Sequence, residues 1–565
     1  MRKGQTILAL TGFLMLLPAI CMGVDKTTRN KEIIRRNYDI FTSLVNTIDA
    51  NYVDTLPLQK MFDKAINGFL SPLDPYTVFF NEKDAKEFMQ SSKGEFGGIG
   101  IFLTQKNDDV VITGPIEGSP AFDAGLRTGD IILAIDSVSA KGLSVDEARN
   151  RMMGMPGTNL NLRVRRPYTE SDSILDFTLL RTRLTIPTIN YYGVDDDGIG
   201  YFDLTQFGEN SAEEVKYALE RILSEKNLKG LVIDLTGNGG GLLEAAEGIL
   251  ELLLPKGSPL FSVKGGDKVK EYVSKAPAIV PSDLPVAVLI DGGTASASEL
   301  TAGALQDLDR AVLVGTRSYG KGLVQSTMPT PYNTMVKVTT SKYYIPSGRL
   351  IQAYDYSRRN PDGSVAHIPD SLAHPYKTAA GRTVYDGGGL SPDTVVEYPD
   401  VSPIVMALGD KDIFFDYANK YYATHETISS PKDFRISDEI FSDFKNFINP
   451  ETFVYTSESD NLLKILREKI KEEGYLKNST EEALESLEKS LAHNMEDELD
   501  SSRDIIDMVL SAEIINRYYN KRGEAITLLN YNPLYLTAKK ILLDKTLYNK
   551  MLSSPEKEKT SSKKK

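Results

Sequence analysis

At 565 residues the chain is too long for one hydrophobic core and corresponds to about three or four domains. Its composition, 41% hydrophobic and 25% charged, is that of a globular protein. A formal net charge of −13 argues against a general nucleic-acid binder, which needs a basic face.

Arg2 and Lys3 precede the apolar run Ile7 to Leu17, and small residues follow at Ala19 and Gly23. This pattern predicts a secretory signal peptide over residues 1–23, with a membrane anchor as the weaker reading. The run is shorter than the ~20 apolar residues of a spanning helix, and no later segment is long and apolar enough to span. The single cysteine, Cys21, follows Pro18-Ala19-Ile20, a poor context for a lipoprotein acceptor. Cleavage leaves an exported chain, periplasmic or secreted, without a transmembrane anchor. It would have no disulfides, thiolate metal sites or cysteine nucleophile.

Residues 24–93 read as a helical N-terminal region. Ile33, Ile34, Tyr38, Phe41, Leu44, Val45 and Ile48 recur at helix spacing, and a second helix is expected around Leu58 to Leu70. The default expectation is a small packing domain. Residues 94–183 are glycine-rich, with short β-rich runs at Ile99–Leu103, Val110–Thr113, Ile131–Ile135 and Asn161–Arg165. Residues 184–400 alternate strand and helix: strands at Leu231–Leu235, Val286–Ile290, Ala311–Gly315 and Met335–Ile345, helices at Leu242–Leu254 and Ser296–Leu308. That alternation predicts α/β layers. Residues 401–550 return to helix. There Ser479-Thr-Glu-Glu482 reads as a capping box, with Leu484, Leu487, Leu491 and Met495 as one core stripe behind it. The Lys/Ser/Glu-rich tail, 551–565, is expected to be disordered.

The chemistry concentrates in three turns. Asp291-Gly-Gly-Thr-Ala-Ser296-Ala-Ser-Glu299 offers a serine at a strand-to-helix turn. Ser296 and Glu299 match an ordinary capping box. The uncrowded Gly292-Gly293, Ala295 and Ala297 also leave room for a substrate backbone, and the helix N-terminus favours a developing anion. Tyr319-Gly-Lys321-Gly-Leu-Val-Gln325 offers a lysine before an apolar run. Burial would lower its pKa and let it serve as a base, with Gln325 orienting the amine. A serine with a lysine base is the minimum apparatus for acyl transfer without histidine. Asp234-Leu-Thr-Gly237-Asn-Gly-Gly-Gly241 supports an oxyanion hole, a dinucleotide cradle or a plain tight turn. His367, His374, His425 and His493 form no metal pattern, and no metal or cofactor is expected. Finally, Phe96-Gly-Gly-Ile-Gly-Ile101 places Gly98, Ile99 and Gly100 where backbone N–H groups converge on an anion beside a strand edge. That is a mode for capturing a C-terminal carboxylate.

Together these segments resemble the C-terminal processing peptidases, or tail-specific proteases, over most of residues 30–400. The most specific match is Thr294-Ala-Ser-Ala-Ser-Glu-Leu-Thr-Ala-Gly-Ala-Leu-Gln-Asp307 with Tyr319-Gly-Lys-Gly-Leu-Val-Gln325. The resemblance implies a nucleophile at Ser296, a base at Lys321, 25 residues on, and support from Gln325 and Asp307. Glu299 is taken as a further supporting residue. The resemblance also implies a crotonase-like α/β protease core over 184–400, with oxyanion donors at Gly240 and Ala297. Gly118-Ser-Pro-Ala and Ala124-Gly-Leu-Arg-Thr-Gly-Asp130 resemble the family's PDZ domain, over 94–183. The implied partners are polypeptides with apolar C-termini; an activating adaptor and the oligomeric state stay open. Three positions depart from the family pattern. Thr236 stands where arginine is usual, Tyr76 where histidine is common and Tyr319 where phenylalanine is common. Ser357–Thr378 reads as an insertion. A non-catalytic PDZ scaffold on an inactive core and a nucleotide-binding α/β enzyme are the alternatives.

Overall fold

The computed structural model describes residues 26–92, 95–168, 173–360, 362–449, 451–491 and 494–554. The signal-peptide segment, Cys21 and tail residues 555–565 lie outside them. The chain divides into a first unit ending at Pro72 and a second running from Leu73 onward.

The first unit is two helices, α1 (Lys26–Asn51) and α2 (Leu58–Leu70). Both follow the expected periodicity. Ile33, Ile34, Tyr38, Phe41 and Leu44 remain exposed on α1, and no residue of α2 is buried. Phe41 and Phe62 meet edge-on at 6.3 Å.

The second unit is built around a six-stranded sheet: β1 (Tyr192–Val194), β2 (Ile199–Asp203), β3 (Gly230–Asp234), β4 (Val286–Ile290), β5 (Val312–Gly315) and β6 (Thr394–Val395). They lie in that spatial order. The first pair is antiparallel and the rest are parallel. Strands β3, β4 and β5 are apolar along nearly their whole length because both faces are covered, as expected for a central parallel sheet. One face carries α3 (Ser211–Leu223), α4 (Leu243–Leu253) and α5 (Ala297–Asp307), with Val215, Leu219, Ile249, Leu250 and Leu300 in a single core with Leu231, Ile233, Val288 and Leu313. A second sheet, made of the strands Val78–Phe80, Pro259–Gly265, Lys268–Val273, Leu323–Thr330 and Thr334–Tyr344, lies beside it.

The other face of the six-stranded sheet is covered from far along the chain. After α6 (Ile413–Thr424) and the long α7 (Arg503–Leu529) come α8 (Pro533–Leu543) and α9 (Lys545–Met551). Asn532 caps α8 by accepting from the Leu534 and Tyr535 N–H groups, and Pro533 occupies the first helical position, where no N–H is needed. Leu534, Ala538, Ile541 and Leu542 then form one apolar stripe. It packs on Val232, Ala287, Leu289, Val312 and Val314, all 0% exposed. The Tyr548 hydroxyl donates towards the Val286 and Arg310 carbonyls and accepts from the Val286 N–H.

The β-rich module forms a sheet of strands Ile101–Lys106, Asp109–Pro115, Ile131–Ile135, Asn159–Arg166 and Ser173–Leu180, with Val138–Ser139 paired to the third. The helix Val145–Met152 covers one face. The expected capping box at Ser479 is not formed. Its helix, Asn478–Ser490, starts earlier with Lys477 as the capping residue, so Ser479 is already inside the first turn. The stripe behind it also divides. Leu484 is buried but Leu487 is 45% exposed, and the helix stops before Met495, which opens another.

Candidate active site

The three turns singled out in the sequence leave the C-terminal ends of three adjacent parallel strands. Asp234 ends β3, Ile290 ends β4 and Gly315 ends β5. Loops at these ends converge by topology, which is why open α/β sheets bind ligands there. All three contribute to a cleft of about 780 Å³ whose lining includes Gly239–Gly241, Ser296, Ala297, Lys321 and Gln325.

Ser296 sits immediately before α5 with φ 58° and ψ −117°, a conformation that costs a non-glycine residue energy. Neighbouring loops hold it there. The Asp291 carboxylate accepts from the N–H groups of Gly237, Gly293 and Thr294, so one side chain joins the glycine-rich loop to the serine turn. The Ala295 N–H donates to the Asn238 carbonyl, and the Ser298 hydroxyl donates to the same oxygen. Gly240 lies directly against the Ser296 turn. A Cβ there would come within 2.8 Å of both the Ala297 nitrogen and the Ser296 Cβ, so only glycine fits. Its N–H, expected to face an oxyanion, donates instead to Asn238 Oδ1 at 2.8 Å. The Ala297 N–H, first in α5, has no acceptor among the described residues.

Lys321 lies between Gly320, at φ 87°, and Gly322, each packed too closely against Ala353 or Leu350 to carry a side chain. Its ammonium nitrogen stands 4.2 Å from the centroid of the Tyr76 ring. Burial holds its pKa below the ordinary lysine value, and nearby Lys337 adds to the shift. No hydrogen bond joins Lys321 Nζ to Ser296 Oγ among the described residues. Gln325 also does not bond Lys321. Its amide donates to Thr339 Oγ1, which donates to Asp74 Oδ1.

Glu299 is the tie between the two turns. It is 0% exposed, and Oε2 accepts from the Ser296 N–H at 2.9 Å and the Lys321 N–H at 2.8 Å. Oε1 accepts from the Ser318 hydroxyl and the Gly320 N–H. Burial pushes its pKa up, and these four hydrogen bonds pull it back. Asp307 lies at the far end of α5 and contacts neither turn. It pairs with the buried Arg349 and accepts from the Ser347 N–H. Thr236, in the family's arginine position, caps Asp234 through its N–H and hydroxyl, and Tyr201 donates to the other carboxylate oxygen.

Two contributors were given no role in the sequence reading. Tyr76 covers the lysine, and its hydroxyl meets those of Tyr319 and Tyr356 at 3.2 and 3.3 Å. The Tyr343 hydroxyl donates to the carbonyls of Ser296 and Lys321, one in each turn. The only signal for Tyr76 was its place in Leu73-Asp-Pro-Tyr-Thr; Tyr343 sat in an ordinary strand pattern.

Away from the cleft, Gly98, Ile99 and Gly100 are buried. The Ile99 carbonyl accepts from the Ala121 N–H, and the Gly100 carbonyl from the Ile116 N–H and the Ser119 hydroxyl. Among the described residues, the Ile99 and Gly100 N–H groups have no acceptor. They lead into Ile101–Lys106, the edge strand of its sheet.

A parallel sheet carries a glycine-rich loop, a strained serine and a half-buried lysine at its carboxyl edge, the layout of a hydrolase-like site, and three family profiles match the chain. "Peptidase family S41" matches residues 198–363, "PDZ domain" matches 111–166, and "Probable PDZ-protease, C-terminal helical domain" matches 404–542. The last covers a stretch that the sequence reading gave only as helical. A carboxy-terminal-processing protease of Bartonella bacilliformis is 36% identical over 353 residues, spanning 62% of this chain and 80% of that protein. The carboxy-terminal processing protease CtpB of Bacillus subtilis is 33% identical over 340 residues, spanning 59% and 68%. Among solved structures, a photosystem II D1 C-terminal processing protease aligns at 26% identity with a TM-score of 0.34, over 63% of this chain and 86% of that one. The chain belongs to the carboxy-terminal processing proteases of peptidase family S41, and is a serine-type peptidase with a PDZ domain. No helix among the described residues is long and apolar enough to cross a membrane.

Proposed function

We propose that the protein is an exported endopeptidase that cuts polypeptides near their C-termini with a Ser296–Lys321 dyad on a crotonase-like core. The observation that carries this reading is that Ser296 and Lys321 face one cleft while their backbone N–H groups are held by a single buried carboxylate, Glu299. Neutral Lys321 takes the proton from Ser296 Oγ as that oxygen attacks the scissile carbonyl. The leaving amine takes the proton back. Lys321 then deprotonates a water that releases the acyl group from Ser296. The depressed pKa of Lys321 favours the neutral form this requires. Since no hydrogen bond yet links the two side chains, the amine leaves the Tyr76 ring as substrate seals the cleft and displaces water.

The Ala297 N–H is ready for the oxyanion. The Gly240 N–H joins it once a substrate oxygen competes with Asn238 Oδ1. The Ile99 and Gly100 N–H groups, without an acceptor among the described residues, suit a terminal carboxylate, with the substrate tail added as a strand along Ile101–Lys106. The preferred tails are apolar. Gln325 and Asp307 act as supports.

Ser296→Ala and Lys321→Ala should each abolish cleavage of a peptide with an apolar C-terminus while the peptide still binds. Near-parental turnover by Lys321→Ala would falsify the dyad. Peptide bound but uncut by the parent protein would favour a non-catalytic scaffold.

A further inference from the structure

Tyr343 joins the same two turns that Glu299 joins. It is 2% exposed and belongs to the strand Thr334–Tyr344 of the second sheet. Its hydroxyl lies 2.8 Å from the Lys321 carbonyl oxygen and 3.0 Å from the Ser296 carbonyl oxygen. A phenol has one proton, so the two carbonyls share it in a three-centre bond. The Ser296 carbonyl also accepts from the Leu300 N–H of α5. The Lys321 carbonyl has no other donor among the described residues. The Tyr343 N–H in turn donates to the Gly322 carbonyl, so this one residue grips two successive carbonyls of the lysine turn. Burial pushes the phenol well above its ordinary pKa, which keeps the hydroxyl a donor throughout the range in which a protease works.

The two clamps are complementary. Glu299 collects the N–H groups of Ser296 and Lys321, and Tyr343 collects their carbonyls. Each dyad residue is therefore held on both sides of its Cα by a group that also holds the other. Glu299 ties the turns through α5, whereas Tyr343 ties them to the second sheet. Without Tyr343, the lysine turn would keep its amide anchors but could pivot about them.

We propose that Tyr343 is a positioning residue of this protease: its hydroxyl fixes the spacing between the nucleophile and base turns without touching substrate. The inference rests on the reading of Ser296 and Lys321 as nucleophile and base.

The test is Tyr343→Phe, which keeps the ring and removes one oxygen. With a peptide bearing an apolar C-terminus, kcat should fall by about 10- to 100-fold, the scale of a misplacement near 1 Å. KM should stay within about twofold, because no substrate contact is lost. The acid limb of the kcat/KM profile should move to higher pH, as a loosened Lys321 regains water and its pKa rises. Rates are normalised to the folded fraction read by near-ultraviolet circular dichroism. A kcat within about twofold of the parent with an unmoved limb overturns the proposal. So does a loss of rate that merely follows the folded fraction. Replacement of Tyr343 by 3-fluorotyrosine preserves packing and the hydroxyl; it should retain turnover where Tyr343→Phe loses it, and equal loss in both also overturns the proposal. Ser296→Ala and Lys321→Ala run in parallel. Turnover in either removes the dyad and this inference with it, whereas two dead variants beside a parental Tyr343→Phe remove the inference alone.

Discussion

The junction around Ser296 and the attachment of the PDZ domain are built from opposite materials. At the junction, single groups hold several partners each: buried Glu299 four, half-buried Asp291 three N–H groups, buried Tyr343 two carbonyls. The PDZ domain meets α6 through contacts of another kind. Lys106 pairs with Asp416 and lies 5.9 Å from the Phe415 ring centroid, and Arg127 lies 5.5 Å from that of Tyr422. Gly129 packs on the Asn419 side chain. Partly exposed ion pairs and cation–π contacts are each worth about 1 kcal/mol or less. Chemistry that depends on fractions of an ångström is wired through buried multidentate groups. The PDZ domain, proposed above to take up the substrate tail, is held by contacts that can be exchanged at little cost.

The sharpest way to break this contrast is Glu299→Gln. The amide turns two donors toward a ring of donors, so several hydrogen bonds to a charged acceptor are lost, about 3–5 kcal/mol or more. Urea denaturation should show that loss, and peptide cleavage should fall by at least about 100-fold. Arg349→Met comes next. It leaves Asp307 buried without its partner, which costs about 3–5 kcal/mol in the same assay, and Asp307→Leu in the same chain should recover much of it. Leu534→Ala should cost about 2–4 kcal/mol through the cavity it opens beneath the six-stranded sheet. Lys106→Ala is the mildest. Stability should change by about 1 kcal/mol at most, while the dependence of turnover on the substrate tail changes measurably. A large destabilisation by Lys106→Ala would erase the distinction between the two regions.

Some of the elements on both sides of this contrast can be read in the chain itself. Val286–Ile290 and Ile131–Ile135 are short apolar runs between turn residues and appear as strands with those limits. The glycines flanking Lys321 and the pair Ser296/Glu299 drew attention because their spacing restricts local geometry. Glu299, taken for a helix cap, also binds a turn 22 residues away, a link made only when β4 and β5 pair side by side. Tyr76 and Tyr343 were opaque for the same reason: each acts across more than 20 residues of sequence on a backbone or side chain with no local signature. The Gly240 N–H misled because nearness to Ser296 is dictated by the glycines, while the direction of its bond is dictated by Asn238. The helix stripe at Leu487 misled because periodicity alone does not say whether a neighbour arrives to cover it.

The late arrival of α8 and α9 bears on how the enzyme comes into being. Translation runs from the N-terminus, so the sheet bearing the serine and lysine turns is made long before the residues that seal its rear face. Until residues 533–551 have left the ribosome, that face stays greasy and uncovered. A nascent chain would carry Ser296 and Lys321 before the sheet that holds their turns is sealed, so cutting activity would be withheld until these two helices dock.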